Sequence, residues 1–274
     1  MPYRHARYWV SFVLIVILVG FWDSYFTTLK TVPLAFHAHA ITALAWVFLL
    51  LLQDWSIRSR RRNLHRIGGT LSLFLFPFLI VGFVMIINMT AANYAANENE
   101  IFRFLGPSFA LSMLIAITAY LTLFYLALKH RRNTRLHAGY MLSTPLVLFE
   151  SPFSRVIMGM MPFLIITGSE IPQRILDAIA TAMMISAVFG LLMYLRDRKG
   201  GVPFLLAAIF LVIETICIYM GTHIQWVRQG LEYYAQIPAE LTVASAFLLG
   251  TAVSWLGWNA AKGPKVQGTA VLPS

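Results

Sequence analysis

Charged side chains are scarce in this 274-residue chain. Lysine, arginine, aspartate and glutamate together make up 12% of it, where a water-soluble domain carries charge on roughly a quarter of its positions. That scarcity, beside a hydrophobic share of 59%, excludes an ordinary soluble fold. There is a single cysteine, Cys217, inside an apolar run. A disulfide framework and a cysteine metal cluster are thereby both excluded. Also missing are a phosphate-cradling P-loop, a Gly-rich dinucleotide turn, a His-Glu-x-x-His helix and a Gly-x-Ser-x-Gly elbow, so the chain lacks the means to drive transport with nucleotide or to act by those hydrolytic routes. Nucleic-acid binding is not implied by the net charge of +10, because the basic residues gather in short loops between apolar runs rather than on one folded face.

What is present is long apolar runs. About 20 residues are needed to cross ~30 Å of hydrocarbon. Runs of that length lie near 8 to 27, 34 to 54, 66 to 89, 107 to 128, 137 to 166, 174 to 195, 203 to 226 and 239 to 258. Pro33, Pro107, Pro172, Pro203 and Pro238 mark five of the starts, since proline's missing N–H is harmless in a first helical turn. The first run follows a basic start, Arg4 and Arg7, and no small-residue cleavage site comes after it, so it reads as an uncleaved helix. The expected fold is an all-α polytopic transmembrane bundle of about eight helices, seven if the last run, interrupted by Gly250 and Ser254, does not cross. Residues 1 to 258 form one domain, and 259 to 274 a disordered cytoplasmic tail.

Orientation follows from where the cations fall. Arg4, Arg7, Arg58, Arg60, Arg61, Arg62, Arg66, Lys129, Arg131, Arg132, Arg135, Arg196, Arg198, Lys199, Lys262 and Lys265 occupy alternate loops, against Lys30, Arg103, Arg174 and Arg228 on the opposite side. The positive-inside rule then puts both termini in the cytoplasm of a cell whose inner membrane the protein spans, with anionic lipid headgroups as partners of the basic loops. A short echo links Arg62-Asn63-Leu64-His65 with Thr134-Arg135-Leu136-His137. Each follows an arginine-rich loop and opens an outward-running helix, which suggests that helices two and three repeat as four and five.

Histidines sort into two layers. His65 and His137 lie in the first turns of helices three and five, at the cytoplasmic boundary, whereas His37, His39 and His223 lie near the outer surface. Two such layers suit haem iron held between helices by imidazole nitrogens. His39 shares a stripe with Trp46 and Gln53 and is read as facing the bundle, with His37 about 200° away. The competing reading is that these histidines meet lipid phosphate or make interfacial hydrogen bonds. Charges inside spans also need a reason. Glu150 and Glu214 are expected near one depth, ~16 to 20 Å from the cytoplasmic edge, where they could share a proton or pair with Arg155. Pro145, Pro152 and Pro162 predict a kinked fifth helix whose freed carbonyls lie beside Glu150 and Arg155. A static buried ion pair is the alternative.

The stretch from Phe36-His37-Ala38-His39 through Trp46, Gln53 and Arg58 to Leu64-His65-Arg66-Ile67-Gly68 resembles a group of uncharacterised bacterial membrane proteins. In that group a histidine-bearing helix, a glutamine and a basic loop precede a Leu-His-Arg-x-x-Gly helix start. Leu136-His137-Ala138-Gly139-Tyr140-Met141 is similar to the group's second signature, usually His-x-Arg-Leu-Met, with Ala138 and Gly139 departing from it. A looser similarity is to di-haem transmembrane cytochromes b and haem A synthases, which implies haem b on His65 and His137 inside and His39 and His223 outside, and an electron-transfer or oxidoreductase role with a redox partner. Two other functions stay open. One is a proton-coupled transporter of a small solute using Glu150, Glu214 and Arg155; the other is a non-catalytic membrane or lipid-binding scaffold.

Overall fold

A computed structural model describes residues 3 to 164 and 170 to 261. Most of the expected tail, including the lysine anchor at 262 and 265, lies outside the described residues, as does the far end of the expected fifth run. The described chain is all-helical: α1 (Ala6–Gly20), α2 (Leu34–Arg58), α3 (Arg62–Ala95), α4 (Glu100–Lys129), α5 (Thr134–Met160), α6 (Ile171–Arg196), α7 (Val202–Met220), α8 (Gln225–Ala235) and α9 (Ala239–Ala260). A π-type turn at Trp22–Phe26 extends α1, and 3-10 turns follow α5 and α7.

Helix starts mostly follow the expected chemistry. Pro33 and Pro238 cap α2 and α9, and Pro172 and Pro203 sit in the first turns of α6 and α7. Pro107 does not. It lies inside α4, which begins at Glu100 because the Asn99 side chain accepts a hydrogen bond from Phe102 N at 3.0 Å. That cap satisfies an N–H group that hydrocarbon would leave bare, and the apolar residues Ile101, Phe102, Phe104 and Leu105 carry the helix on from it. Asn133 caps α5 in the same way, through Arg135 N and Leu136 N. Likewise α5 stops at Met160, short of 166, because residue 161 precedes Pro162 and turns out of the helical region.

Six helices, α2, α3, α4, α6, α7 with its 3-10 turn, and α9, are long and apolar enough to cross a membrane, and the chain is a multi-pass membrane protein. The two expected spans outside that set have different causes. α1 has 15 residues, or roughly 22 Å of rise, and gains its remaining reach from the π-type turn. α5 is long enough, at 27 residues, but carries Glu150, Arg155 and several hydroxyls. It can do so because α1, α2, α4, α6 and α7 surround it. α4 is similarly enclosed, between α3, α5, α6, α7 and α9. The segment between α7 and α9, expected as a loop, is instead the amphipathic α8. It buries Val227 and Leu231, one helical turn apart, and leaves Trp226 and Tyr233 exposed. Tyr234 Oη donates to Asn88 Oδ1 at 2.6 Å, and Asn88 Nδ2 donates to Thr242 Oγ1 at 2.8 Å, so one asparagine ties α8 and α9 to α3.

The arginine-rich segments meet at one end of the bundle. Tyr3 Oη donates to Gly200 O and Arg58 Nη2 donates to Tyr3 O, both at 2.8 Å. Arg135 pairs with Asp197, and Arg131 Nη1 donates to Trp258 O at 2.6 Å. Burial and the neighbouring Asp197 push the Tyr3 hydroxyl up to about 12, so it stays a donor at any ordinary pH. Asp197 is held below its ordinary carboxylate value by the Gly200 N–H and by Arg135. A carboxyl lowered on folding stabilises above its ordinary range, and that contribution fades as pH falls through the folded value. Asp197→Asn should therefore loosen the N-terminal segment at neutral pH as acidification does in the parent chain. Loss of hydrogen-exchange protection over residues 3 to 8 in detergent would report it, with the parent chain losing that protection only below about pH 4.

Candidate functional site

Between the outer halves of α1 to α7 lies a cavity of about 430 Å³. Its walls are mainly apolar and aromatic, with Phe21, Tyr25, Phe26, Phe36, Phe83, Phe102 and Phe109 among the lining residues. Into it come His39 from α2, Glu150, Ser151, Ser154 and Arg155 from α5, and Glu214 from α7. Three of the residues singled out from sequence as a proton or ion path thus share one space, and they share it with a histidine assigned to a different role.

Packing explains how each is placed. His39 can lie beside Phe83, ring centroids 4.7 Å apart, because Gly82 lets α3 approach the α2 backbone. A Cβ at Gly82 would fall 2.9 Å from His39 Cα. Gly20 similarly admits the carbonyl of Pro152, bringing α1 against the proline-bearing part of α5. α5 begins at Thr134, earlier than the expected 137, so Glu150 lies roughly 24 Å and Arg155 roughly 32 Å along it, against roughly 18 Å for Glu214 along α7. The helix starts are themselves offset, since Gly139 of α5 packs against Pro203 of α7, and Glu150 and Glu214 each lie eleven residues, roughly 16 Å, beyond that contact, at one depth as expected. Arg155 Nη1 donates to Ser151 O at 2.8 Å and Ser151 Oγ at 3.1 Å, and its guanidinium lies 4.5 Å from the centroid of the Phe21 ring. Among the described residues no ion pair within 4.0 Å joins it to either glutamate, although Glu150 feels its charge. The expected ion pair is therefore an electrostatic neighbourhood, not a contact.

Glu214 is 1% exposed, and its Oε1 has no hydrogen-bond partner; the same holds for Nδ1 of half-buried His39. Such buried polar atoms are costly unless something meets them. Beneath the cavity the bundle is closed. Trp46, Phe76, Tyr120 and Phe124 are fully buried, the two phenylalanine rings stacked at 4.0 Å. Trp46 Nε1 donates to Thr144 Oγ1 at 2.9 Å, and Tyr120 Oη to Thr144 O at 2.8 Å. Pro145 leaves the carbonyl of Met141 without its helical donor, and Thr144 Oγ1 supplies one at 2.8 Å. The cavity thus reaches the end opposite the arginines, past Tyr25, Phe36 and Ile101, and stops at a sealed floor.

Comparison with protein-family models, curated proteins and solved structures gives no match. The resemblance of the two histidine-bearing helix starts therefore rests on the sequence alone.

The other candidate ligands lie elsewhere. His65 and His137 are each the fourth residue of their helix, at the arginine-rich end, and His65 lies within electrostatic reach of His137. Gln53 Nε2 donates to His65 O at 3.2 Å, an approach that Gly68 permits, since a Cβ there would sit 2.9 Å from the amide nitrogen. His65 Nδ1 and Gln53 Oε1 are buried without partners. His137 Nδ1 lies 2.8 Å from Ala127 O, so it carries the proton and leaves Nε2 bare. His223 is exposed on the turn after α7 and does not line the cavity that holds His39, so no outer pair forms around that space. His37 hydrogen-bonds Tyr25 Oη and Leu29 O, the interfacial role weighed against ligation. No group of three or more His, Cys, Asp or Glu side chains able to hold a metal ion occurs among the described residues.

Sequence reading passed over the floor residues Tyr120 and Thr144, and over Asp177 on α6, 1% exposed and accepting from Gln173 Nε2 and Tyr219 Oη. A buried Trp46 far from either span end was the available sign of the floor. Gly82→Leu should force α2 and α3 apart at His39, destabilising the protein by about 1–3 kcal/mol and lowering its unfolding midpoint in detergent.

Proposed function

We propose that this protein is a proton-coupled transporter of a small, largely apolar solute, set in a bacterial inner membrane with its arginine-rich loops against anionic lipid on the cytoplasmic side. The observation that carries the reading is one cavity lined by Glu150, Glu214, Arg155 and His39 at membrane depth. Ionisable residues are expensive there and mark solute or proton paths. The cavity opens towards one end and is sealed at the other by the Trp46, Phe76, Tyr120 and Phe124 layer, as expected of one half of an alternating-access cycle. α5, with Pro145 just before its cavity side chains and Pro152 among them, is the element suited to bend when that layer opens.

In this reading the glutamates take up and release protons while the aromatic wall holds the solute away from water. Arg155 keeps Glu150 partly compensated, and Glu214 is left as the group that needs a proton or a ligand. The test uses proteoliposomes holding a pH-sensitive dye and challenged with a panel of cationic, neutral and anionic aromatic solutes. At least one should drive proton flux, and Glu214→Gln should bring that flux to the protein-free background. If no solute moves protons, or the variant matches the parent, the transport reading fails.

Haem binding keeps one supporting observation, the mutual nearness of His65 and His137 with Nδ1 of His65 unpartnered and Nε2 of His137 bare. Were haem b held there, it would supply one-electron chemistry at the cytoplasmic surface and make the chain an electron carrier. A reduced-minus-oxidised absorption spectrum of membranes from haem-replete cells decides this, with α and Soret bands that His137→Ala abolishes. Absence of bands ends it.

A further inference from the structure

We infer that the cavity is built for a hydrophobic organic cation, a protonated amine or quaternary ammonium on an aromatic or aliphatic body, which displaces the proton of Glu214 when it binds. The inference rests on the transport reading of the same cavity and adds the class of solute and the sense of coupling.

Charge balance is the first argument. Two carboxyls and one guanidinium line the space. Arg155 is the charged neighbour that compensates Glu150, whereas the charged neighbour of Glu214 is Glu150 itself. With both carboxyls ionised the cavity carries one negative charge in excess, and the excess belongs to Glu214. Either a proton or a bound cation cancels it, and the two compete for one carboxylate. Binding then follows Glu214–CO2H + R4N⁺ → Glu214–CO2⁻·R4N⁺ + H⁺, with the proton leaving to water.

The remaining groups around Glu214 are consistent with this. Tyr120 on α4 is committed to the carbonyl of Thr144, and His39 on α2, which lines the same cavity, rests its ring against Phe83. Cys217 lies one turn further along α7 itself. None of them offers Glu214 a cation. Aromatic rings on the walls present their negative faces, which attract a desolvated ammonium and do nothing for an anion. The end onto which the cavity opens carries Asp23, Glu98, Glu100, Glu170, Glu232 and Glu240 against four cations, Lys30, Arg103, Arg174 and Arg228. That field draws cations inward and disfavours anions.

The test is titration calorimetry on the purified full chain in detergent, in two buffers of different ionisation enthalpy. The ligands are benzyltrimethylammonium, its neutral carbon isostere neopentylbenzene, and phenylacetate. The cation should bind tightest, release about one proton and bind more weakly as pH falls, as linkage through a single carboxyl requires. Glu214→Gln should weaken the cation by about 30-fold or more and end proton release, as loss of a buried charge partner does, while neopentylbenzene binds both proteins equally and reports an intact cavity. If that variant fails to bind neopentylbenzene, Glu214→Asp takes its place and should keep proton release. Equal binding of cation and isostere by the parent chain, tighter binding of phenylacetate, or undiminished proton release from Glu214→Gln would each overturn the inference. Failure of the two readings is separable. Cation binding with proton release but no exchange in proteoliposomes removes transport and leaves the site, whereas proton-coupled movement of neutral solutes without cation binding removes the solute class alone.

Discussion

Hydrocarbon offers no hydrogen bonds, and this constraint decides most of the structure. Every backbone and side-chain polar group at membrane depth has to find a partner inside the protein or be worth its cost. Helices meet the backbone part of that demand. Side chains meet the rest locally, as when Thr242 bonds Asn88, Thr144 bonds the carbonyl that Pro145 orphans, and Tyr120 bonds the carbonyl of Thr144. Against that background the unmet atoms stand out. Nδ1 of His39 and Oε1 of Glu214 belong to residues lining one cavity, where a solute or water would serve them.

The same constraint sorts the helices into inner and outer. α5 is the most polar of the eight expected spans, and five neighbouring helices enclose it, with its hydroxyls, Glu150 and Arg155 turned towards them and the cavity. Between such helices there is little hydrophobic driving force, so close approach and side-chain fit do the work of association. Gly82 against His39 and Gly20 against Pro152 are two places where backbones come close around the cavity. Both contacts hold helices that carry cavity residues, so packing and site are set by the same few positions.

Much of this was legible in the residues. Run length and hydropathy located the spans, because a span is a property of a segment and its solvent. The clustering of cations in alternate loops was also readable, and those loops do share one end of the molecule, where Tyr3, Arg58, Arg131 and Arg135 tie them together. Depth along a helix let Glu150, Glu214 and Arg155 be grouped. What could not be read was which residues of other helices each side chain would meet. His39 was correctly turned inward by its stripe with Trp46 and Gln53, yet its companions proved to be carboxylates and an arginine rather than His223. Pro107 misled because a proline marks a helix start only when nothing better lies upstream, and Asn99 does. α8 was missed because its apolar stripe is two buried residues wide, too little to register as a run.

The pairing of His65 with Gln53 shows where pattern and physics part. Glutamine in one helix and Leu-His-Arg-x-x-Gly in the next suggest ligation when read as a motif. In three dimensions the glycine is needed because the glutamine amide crosses to the carbonyl of His65 over the space a side chain would fill. The motif is thus accounted for, in large part, by the close crossing of α2 and α3 near their joining turn, where Arg60 takes a left-handed conformation. The cavity has no such account. Nothing in the packing of α5 and α7 requires a carboxylate at 150 or 214, and an apolar residue of similar size would meet the bilayer at lower cost. A cost that packing does not require is the mark of a group kept for what it binds.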